Sequence, residues 1–333
     1  MDEAPPVARV RASGSELVVS ALGFGGAAIG GLFEAVAERT ALDTVTRALE
    51  LGVTYLDTAP HYGLGISERR IGQALRSARL ARDSYVLSTK VGRLLRPLRP
   101  GERAPSEGFA TSEPLRRVFD FSRDGIRRSL EESLARLGLD RVDIVYLHDP
   151  DEHEDEVYAT GYRALAELRS EGLVRAIGVG MNQSEMLARF VRRFDLDVVL
   201  IAGRYSLLDQ GALDELLPAC LERDVGVVVG GAFNSGLLAD PDADAHFDYA
   251  EAPRELVDRA RRIREVCTAH GVELPAAALQ FPRAHPAVVS VVVGARSVQE
   301  IEENAHSFAA PIPSAMWAEL QDTGLLDPGV PVP

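Results

Sequence analysis

The chain has 333 residues, of which 46% are hydrophobic, and its formal net charge is −14 at pH 7. The apolar content is ample for a large core, and the negative charge repels phosphate backbones, which argues against nucleic acid as a partner. The N-terminus lacks the basic and apolar regions of a signal peptide, and no apolar run approaches the ~18 residues of a membrane span. We therefore expect a cytoplasmic protein that does not bind membranes, either a monomer or a homo-oligomer.

Eight short, β-favouring runs recur along the chain. Several, including Val225–Val229, are apolar without alternation, which is typical of strands buried on both faces of a parallel sheet. The predicted strands are Leu22–Gly25, Thr54–Thr58, Tyr85–Thr89, Asp143–Leu147, Ala176–Gly180, Asp197–Ile201, Gly226–Gly230 and Val288–Val293.

Helical patterns lie between these strands, and the clearest runs from Ser122 to Gly138. Its apolar residues repeat at helical spacing, Ser122 can cap its start, and Gly138 can end its last turn. Another helix is predicted after the second strand, with Ser67 as its N-cap. The remaining predicted helices cover about Arg39–Leu51, Tyr158–Glu171, Ser184–Arg193, Ala212–Arg223, Arg254–His270 and Val298–Phe308.

Strict alternation of strands and helices predicts an α/β fold, and eight such units match a closed (β/α)8 TIM barrel. A doubly wound open sheet is the alternative, but no Gly-x-Gly-x-x-Gly follows the first strand. Two long segments, Arg93–Phe121 and Leu237–Pro253, follow strand ends, so we expect them to lie over the C-terminal face of the barrel. No linker divides the chain, which predicts a single domain over residues 1–333.

Polar side chains stand where apolar strands end: Asp57 and Tyr62 after the second strand, Lys90 after the third and His148 after the fourth. In a parallel barrel these ends share one rim, so the four groups should meet. A buried lysine needs a partner, and Asp57 can provide it. The ammonium would favour the phenolate of Tyr62, and His148 could donate a hydrogen bond to a substrate oxygen. Such a group suits carbonyl–alcohol interconversion with a hydride carrier.

Other reactive side chains have simpler interpretations. His148 and His153 have a spacing that could suit a metal, but no second ligand pair lies nearby, so we predict no metal site. His61 is interpreted as a structural histidine. Cys220 and Cys267 lie in helical segments and are interpreted as buried apolar residues, because two thiols make no disulfide framework.

The segments Asp57–Gly63, Ser88–Lys90 and Leu147–His148 resemble the catalytic segments of the aldo-keto reductase superfamily. The similarity runs in order from about Leu22 to Phe308. It implies a (β/α)8 barrel that uses NAD or NADP for hydride transfer. It also implies that Tyr62 is the general acid and base, that Asp57, Lys90 and His148 complete a catalytic tetrad, and that Tyr62 and His148 contact the substrate.

The resemblance further implies where the cofactor would bind. Asn182 would hold the nicotinamide amide, and the loop Asn234–Leu238 would cover the pyrophosphate. The segment Val293–Asn304 would bind the adenosine half at a helix N-terminus. The predicted cofactor-binding residues are Gly25, Asp57, Asn182, Phe233, Asn234, Ser235, Gly236, Leu237, Gly294, Ala295, Arg296, Glu300, Glu303 and Asn304.

One departure from the superfamily pattern favours NAD over NADP. Members that prefer NADP place lysine and arginine around the 2′-phosphate, whereas a gapless comparison puts Gly294 and Glu300 at those places. A carboxylate repels a phosphate but accepts a hydrogen bond from a free ribose hydroxyl. Arg296 could still hold a 2′-phosphate, so NADP stays open.

Four segments resemble the sugar-oxidising branch of the superfamily, which includes D-threo-aldose (L-fucose) 1-dehydrogenases, L-galactose dehydrogenases and a pyridoxal dehydrogenase. The resemblance implies oxidation of a cyclic hemiacetal to a lactone, and we predict that Arg93 and Arg204 contact the substrate. The alternatives are a general aldehyde or ketone reductase and a cofactor-sensing binding protein. The four segments are Val145–Asp151, Gly178–Asn182, Ile201–Asp209 and Gly230–Leu238.

Overall fold

The computed structural model describes residues 6–12, 15–103, 105–243, 246–248 and 250–333. The first five residues, on which the prediction of no signal peptide rests, lie outside the described ranges. The strands are β1 (Val7–Ala12), β2 (Ser15–Ser20), β3 (Leu22–Gly25), β4 (Tyr55–Asp57), β5 (Val86–Val91), β6 (Arg93–Pro97), β7 (Leu115–Phe119), β8 (Ile144–His148), β9 (Ala176–Met181), β10 (Val198–Ala202), β11 (Gly226–Gly230), β12 (His246–Phe247), β13 (Ala250–Glu251) and β14 (Val288–Gly294).

The helices alternate with the strands. They are α1 (Glu38–Glu50), α2 (Ile66–Ala78), α3 (Arg123–Leu137), α4 (Glu154–Glu156), α5 (Tyr162–Ser170), α6 (Ser184–Arg193), α7 (Leu216–Arg223), α8 (Arg254–Ala269), α9 (Leu274–Gln280), α10 (Val298–Ala309) and α11 (Ser314–Asp322). Among the described residues, no helix combines the length and the apolarity that crossing a bilayer requires.

Eight strands close into a parallel barrel in the order β3–β4–β5–β8–β9–β10–β11–β14, with β14 paired back to β3. These are the eight strands predicted from the sequence, and the (β/α)8 fold is confirmed. Their apolar side chains divide into a cluster inside the barrel and a larger one between the strands and the helices. Burial on both faces explains why the strands are apolar without alternation.

An antiparallel hairpin of β1 and β2, which the sequence analysis did not predict, adds to the interior of the barrel. Val10, Leu17 and Val19 are buried with the apolar side chains inside the barrel. Because β2 leads directly into β3, the hairpin covers the N-terminal end of the barrel. It closes the end opposite to the catalytic rim.

The two predicted caps had different outcomes. Ser122 caps α3 as predicted, because its side chain accepts a hydrogen bond from the Gly125 N–H, and Gly138 ends the helix in a left-handed conformation. The prediction for Ser67 was wrong, since the N-cap of α2 is Gly65, two residues earlier. Ser67 is instead buried, and its hydroxyl lies 2.8 Å from the Thr58 hydroxyl. This contact ties the first turn of α2 to the end of β4.

Both long segments reach the C-terminal end of the barrel. The first forms the antiparallel hairpin β6–β7, and Phe109 in its connection pairs with Leu32, which follows β3. The second forms the short β12–β13 pair, where the ring of His246 lies 5.9 Å from that of Phe33. The loops after different strands therefore contact one another above the rim.

A buried ion pair joins α2, α3 and β5 below the rim. Glu68 has no exposed surface, and its carboxylate accepts from the Arg136 guanidinium at 2.5 Å and from the Thr89 hydroxyl at 2.8 Å. Thr89 directly precedes Lys90 in β5. The pair therefore fixes the strand that carries the predicted catalytic lysine.

We predict that Arg136→Met lowers the free energy of unfolding by about 3–5 kcal/mol, because it leaves the Glu68 carboxylate buried without a cation. The matched control is Arg127→Met on the same helix, whose partner Glu171 is 41% exposed. Arg127→Met should lower the free energy of unfolding by less than about 1 kcal/mol. Urea unfolding of both variants measures the difference, and equal losses would contradict the role given to Glu68.

Candidate active site

The four predicted catalytic residues meet on three neighbouring strands. Asp57 ends β4, Lys90 lies next to the end of β5, and His148 ends β8. The Lys90 nitrogen is 2.5 Å from Asp57 Oδ2 and 3.0 Å from the Tyr62 hydroxyl oxygen. The His148 ring stands perpendicular to the Tyr62 ring, with 5.8 Å between their centroids. The structure therefore brings together the side chains that the strand-end pattern selected.

Lys90 uses all three of its ammonium donors. They reach Asp57, the Tyr62 hydroxyl and the backbone carbonyl of Thr58 at 3.1 Å. The side chain is 1% exposed. Burial alone would lower the pKa of Lys90, but the Asp57 charge and the hydrogen bonds outweigh it and raise that pKa above its ordinary value. Lys90 is thus a permanent cation whose donor faces the Tyr62 oxygen, which favours the phenolate.

The backbone of Tyr62 is held by two glycines in close contact. Gly63 has φ 62°, and a Cβ placed on it would lie 2.1 Å from the carbonyl oxygen of Gly30. A Cβ on Gly30 would in turn lie 2.9 Å from the carbonyl carbon of Tyr62. Only glycine fits at either position, so the segment after β3 fixes the turn that carries Tyr62.

His148 is a neutral imidazole at the rim. Burial, and then the charges of Arg93 and Lys90, lower its pKa well below the ordinary value. Its Nδ1 is sealed from solvent without a hydrogen-bond partner in the described part of the chain, and its Nε2 lies 3.5 Å from Asp149 Oδ2. A neutral imidazole carries one proton and can donate a single hydrogen bond.

His61, interpreted from the sequence as structural, lies among the predicted catalytic side chains. Its ring centroid is 5.4 Å from that of His148 and 5.9 Å from that of Tyr62. Burial, and then the charges of Arg93, Arg117 and Lys90, lower the pKa of His61 to about 2. Its position directly before Tyr62 was the signal available in the sequence.

The hairpin β6–β7 covers this cluster with arginines. Arg93 donates to Asp149 at 2.5 Å and to His61 Nδ1 at 3.3 Å. Arg117 donates to the His61 carbonyl at 3.2 Å, and Phe109 stacks on Tyr62 with 6.0 Å between ring centroids. Arg93 was predicted as a substrate residue, whereas Arg117 and Phe109 were not singled out. They lie in a segment that the sequence analysis described only as a long loop.

Arg204, the other predicted substrate residue, lies in a separate ion-pair group. Its guanidinium donates to Asp248 at 2.7 and 3.0 Å and to Asp209 at 3.4 Å. No contact joins it to the tetrad among the described residues. Its observed role is to tie the segment after β11 to the segment after β10.

Apart from Asp57, the predicted cofactor residues lie along the opposite arc of the rim. Gly25 ends β3 beside Gly294, which ends β14, and Asn182 comes directly after β9. The residues Phe233, Asn234, Ser235, Gly236 and Leu237 form the turns after β11. Asn234 donates to the Gly203 carbonyl at 3.2 Å, while its Oδ1 is buried and unpartnered in the described part of the chain. An orphaned amide oxygen at the rim fits a polar ligand.

The N-terminus of α10 completes this arc. Ser297 caps the helix by accepting from the Glu300 N–H, and Ala295 before it is buried. Asn304 donates to the Gly294 carbonyl at 3.4 Å, and Glu303 accepts from Gln299. A capped helix N-terminus next to an open glycine strand end fits the phosphate and ribose portion of a dinucleotide.

Arg296 is held between two carboxylates. Its guanidinium donates to Glu300 at 2.7 and 2.9 Å and to Glu34 at 2.9 Å. Its own backbone N–H donates to the other oxygen of Glu300 at 2.8 Å. The Arg296 guanidinium, which could have bound a 2′-phosphate, is therefore already paired with two carboxylates.

No group of three or more His, Cys, Asp and Glu side chains in the described ranges is arranged to hold a metal ion. His153 faces Glu156 at 2.6 Å and the rings of Phe119 and Phe121. Cys220 and Cys267 are free and buried, as interpreted from the sequence.

The low pKa of His61 predicts a loss of stability in acid. Because the folded pKa is about 2 and the unfolded value is about 6.5, the unfolded chain binds more protons between these values. The free energy of unfolding should therefore fall by about 2 kcal/mol on account of His61 between pH 7 and pH 5. Chemical denaturation across this pH range should show a smaller fall in the free energy of unfolding for His61→Gln than for the wild type. Identical slopes for the variant and the wild type would contradict a neutral His61.

Comparison with known proteins identifies the family. The model of the Aldo/keto reductase family matches residues 21–324. The chain is 46% identical to D-threo-aldose 1-dehydrogenase of Pseudomonas sp over 95% of its own length and 97% of that protein. It is 39% identical to pyridoxal 4-dehydrogenase of Microbacterium luteolum over 93% and 95% of the two chains.

A solved structure agrees with these relatives. The holo form of an aldo-keto reductase from Bacillus halodurans superposes with a TM-score of 0.74, at 27% identity and with 98% of each chain covered. The barrel and the strand-end residues have the arrangement expected from the resemblance. The chain belongs to the aldo/keto reductase family and is an NAD(P)-type oxidoreductase that acts on carbonyl and CH–OH groups.

Proposed function

We propose that this protein is an NAD-dependent aldose 1-dehydrogenase, which oxidises the hemiacetal carbon of a sugar to a lactone. The observation that carries the proposal is the hydrogen bond between the buried Lys90 ammonium and the Tyr62 hydroxyl, beside the neutral imidazole of His148. The relative with 46% identity is named for this reaction. A single domain, residues 1–333, would carry the activity.

The proposed chemistry separates a proton from a hydride. Tyr62, stabilised as phenolate by Lys90, accepts the proton of the C1 hydroxyl as the C1–H bond breaks. His148 donates a hydrogen bond to the same oxygen and holds it in line with Tyr62. When bound, the nicotinamide supplies the hydride acceptor. The substrate loses one proton and one hydride, and C1 becomes the lactone carbonyl.

Asp57 acts through Lys90 in this scheme. Its charge keeps the ammonium protonated in a buried site, where burial alone would favour the neutral amine. Tyr62 is only partly buried, whereas Asp57 and Lys90 are buried. The geometry therefore supports Tyr62 as the group that contacts the substrate. Lys90 favours its phenolate form, and Asp57 keeps Lys90 charged.

The paired state of Arg296 supports NAD rather than NADP. A 2′-phosphate would have to displace a carboxylate from Arg296 and would then face the negative charges of Glu34 and Glu300. A free ribose hydroxyl can instead donate to a carboxylate oxygen, as acidic residues do in dinucleotide sites. The predicted cofactor residues other than Asp57, from Gly25 to Asn304, would hold the dinucleotide along the β9–β3 arc of the rim.

A sugar panel with both oxidised cofactors tests the activity. We expect absorbance of reduced nicotinamide with NAD and either L-fucose or D-arabinose, and a loss of kcat of about 10²-fold or more in Tyr62→Phe. Cofactor affinity, followed by fluorescence quenching, should not change in that variant. Consumption of NADPH with simple aldehydes and no sugar oxidation would instead identify a carbonyl reductase. Cofactor binding without turnover of any substrate would identify a sensor.

Replacing Glu300 tests the cofactor assignment. We expect Glu300→Arg to raise the ratio of kcat/KM with NADP to kcat/KM with NAD by about tenfold or more, which corresponds to about 1.4 kcal/mol. Glu34→Gln should raise the ratio less, because Arg296 keeps its second carboxylate. Asp322→Arg, which changes the charge equally at an exposed position of α11, is the control. An unchanged ratio in Glu300→Arg would overturn the NAD assignment.

A further inference from the structure

The tautomer of His61 follows from its neighbours. Arg93 donates to His61 Nδ1 at 3.3 Å. A guanidinium has five donors and no acceptor, so the nitrogen that it faces must be the acceptor of the ring. The Glu107 carboxylate lies farther from the same nitrogen, at 3.5 Å, and makes no hydrogen bond that meets the usual geometry. In a neutral imidazole, the single proton then sits on Nε2.

His61 is held rigidly in this orientation. Arg117 donates to its backbone carbonyl at 3.2 Å, and Arg93 is itself anchored by Asp149 at 2.5 Å. The ring stands edge-on to Phe109, with 5.0 Å between centroids. Such a support is preorganised, because the two arginines are more than 85% buried and their positions are fixed by carboxylates.

The Nε2 donor is available at the rim. It makes no hydrogen bond within the described ranges and is not among the side-chain atoms that are sealed without a partner. The His61 ring lies beside both the Tyr62 ring and the His148 ring, with 5.9 and 5.4 Å between the ring centroids. Two imidazoles, each with one proton, are thus neighbours at the rim next to Tyr62. Adjacent oxygens of a polyol can accept from two such donors.

We propose that His61 is a specificity-determining residue, which donates a hydrogen bond from Nε2 to the hydroxyl on the carbon next to the reacting one. Arg93 acts as a positioning residue that sets this tautomer. The inference rests on the proposed function for the identity of the substrate as a sugar. It goes beyond that function by assigning recognition of the C2 hydroxyl to a residue outside the tetrad.

A purely structural role for His61 predicts different effects of substitution. If His61 only filled space, phenylalanine would replace it well, because its neighbours Tyr62, Phe109 and His148 are all rings. If the Nε2 donor matters, glutamine should replace it better, because its amide nitrogen can reach a similar position. The two variants therefore separate packing from hydrogen bonding.

The experiment compares D-arabinose with 2-deoxy-D-ribose, which is the same sugar without the C2 hydroxyl. For His61→Phe we expect kcat/KM to fall about 10- to 100-fold with D-arabinose, the cost of an unpaired hydroxyl. With the deoxy sugar it should change less than about threefold. His61→Gln should recover most of the loss, and His270→Phe, a partly exposed site beside Glu319, is the control. Equal losses on both sugars would overturn the proposal.

Two further measurements keep the inference separate from the sugar assignment. If the wild type oxidises neither sugar, the proposed function fails, and the same variants are compared on glyceraldehyde and propanal with NADH. Loss confined to the hydroxylated aldehyde supports the role of His61, and equal loss overturns it. Long-range ¹H–¹⁵N NMR of the imidazoles reads the tautomer directly. A proton found on Nδ1 of His61 would overturn the inference whatever the substrate.

Discussion

The ion pair between Lys90 and Asp57 is the interaction on which the rest of the site depends. A buried ammonium is costly unless each of its donors has a partner, and here the partners come from Asp57, Thr58 and Tyr62. These groups belong to β4 and to the turn that follows it, whereas Lys90 belongs to β5. The ammonium is satisfied because β4 and β5 are adjacent and parallel, so the site depends on this strand order.

The second oxygen of Asp57 is satisfied by a chain of hydroxyls inside the barrel. Ser88 donates to Asp57 Oδ1 at 2.7 Å. Because a hydroxyl has one proton, Ser88 must accept from Tyr55, 3.1 Å away, and Tyr55 must accept from Tyr146, 3.0 Å away. Burial raises the pKa of both tyrosines, and the Asp57 charge raises that of Tyr55 further. Every proton of the chain therefore points toward Asp57, which holds its negative charge opposite Lys90.

The sequence alone was sufficient to predict those parts of the structure that a local pattern of residues determines. Short β-favouring runs, several of them apolar without alternation as in β14, predicted all eight barrel strands. Polar residues at their ends predicted the meeting of Asp57 and Lys90. The β6–β7 hairpin could not be predicted, because its strands are rich in arginine and only distant groups pair with them. The Arg117 guanidinium, for instance, lies 3.6 Å from the Glu107 carboxylate and donates a hydrogen bond to the His61 carbonyl. The tautomer inferred for His61 could not be predicted for the same reason, since it depends on a residue 32 positions away.

Burial, and then the balance of charge around the tetrad, explains why the imidazoles of His61 and His148 are neutral. The same balance indicates what kind of ligand the site favours. Each buried cation already lies against a carboxylate, so a protonated His61 or His148 would add a charge that no group compensates. An anionic substrate would likewise have to displace a carboxylate from an arginine. A neutral polyol disturbs none of these pairs and can use the imidazole donors and the Tyr62 oxygen, which favours a sugar over a charged carbonyl compound. The pairs are Lys90 with Asp57, Arg93 with Asp149, and Arg117 with Glu107.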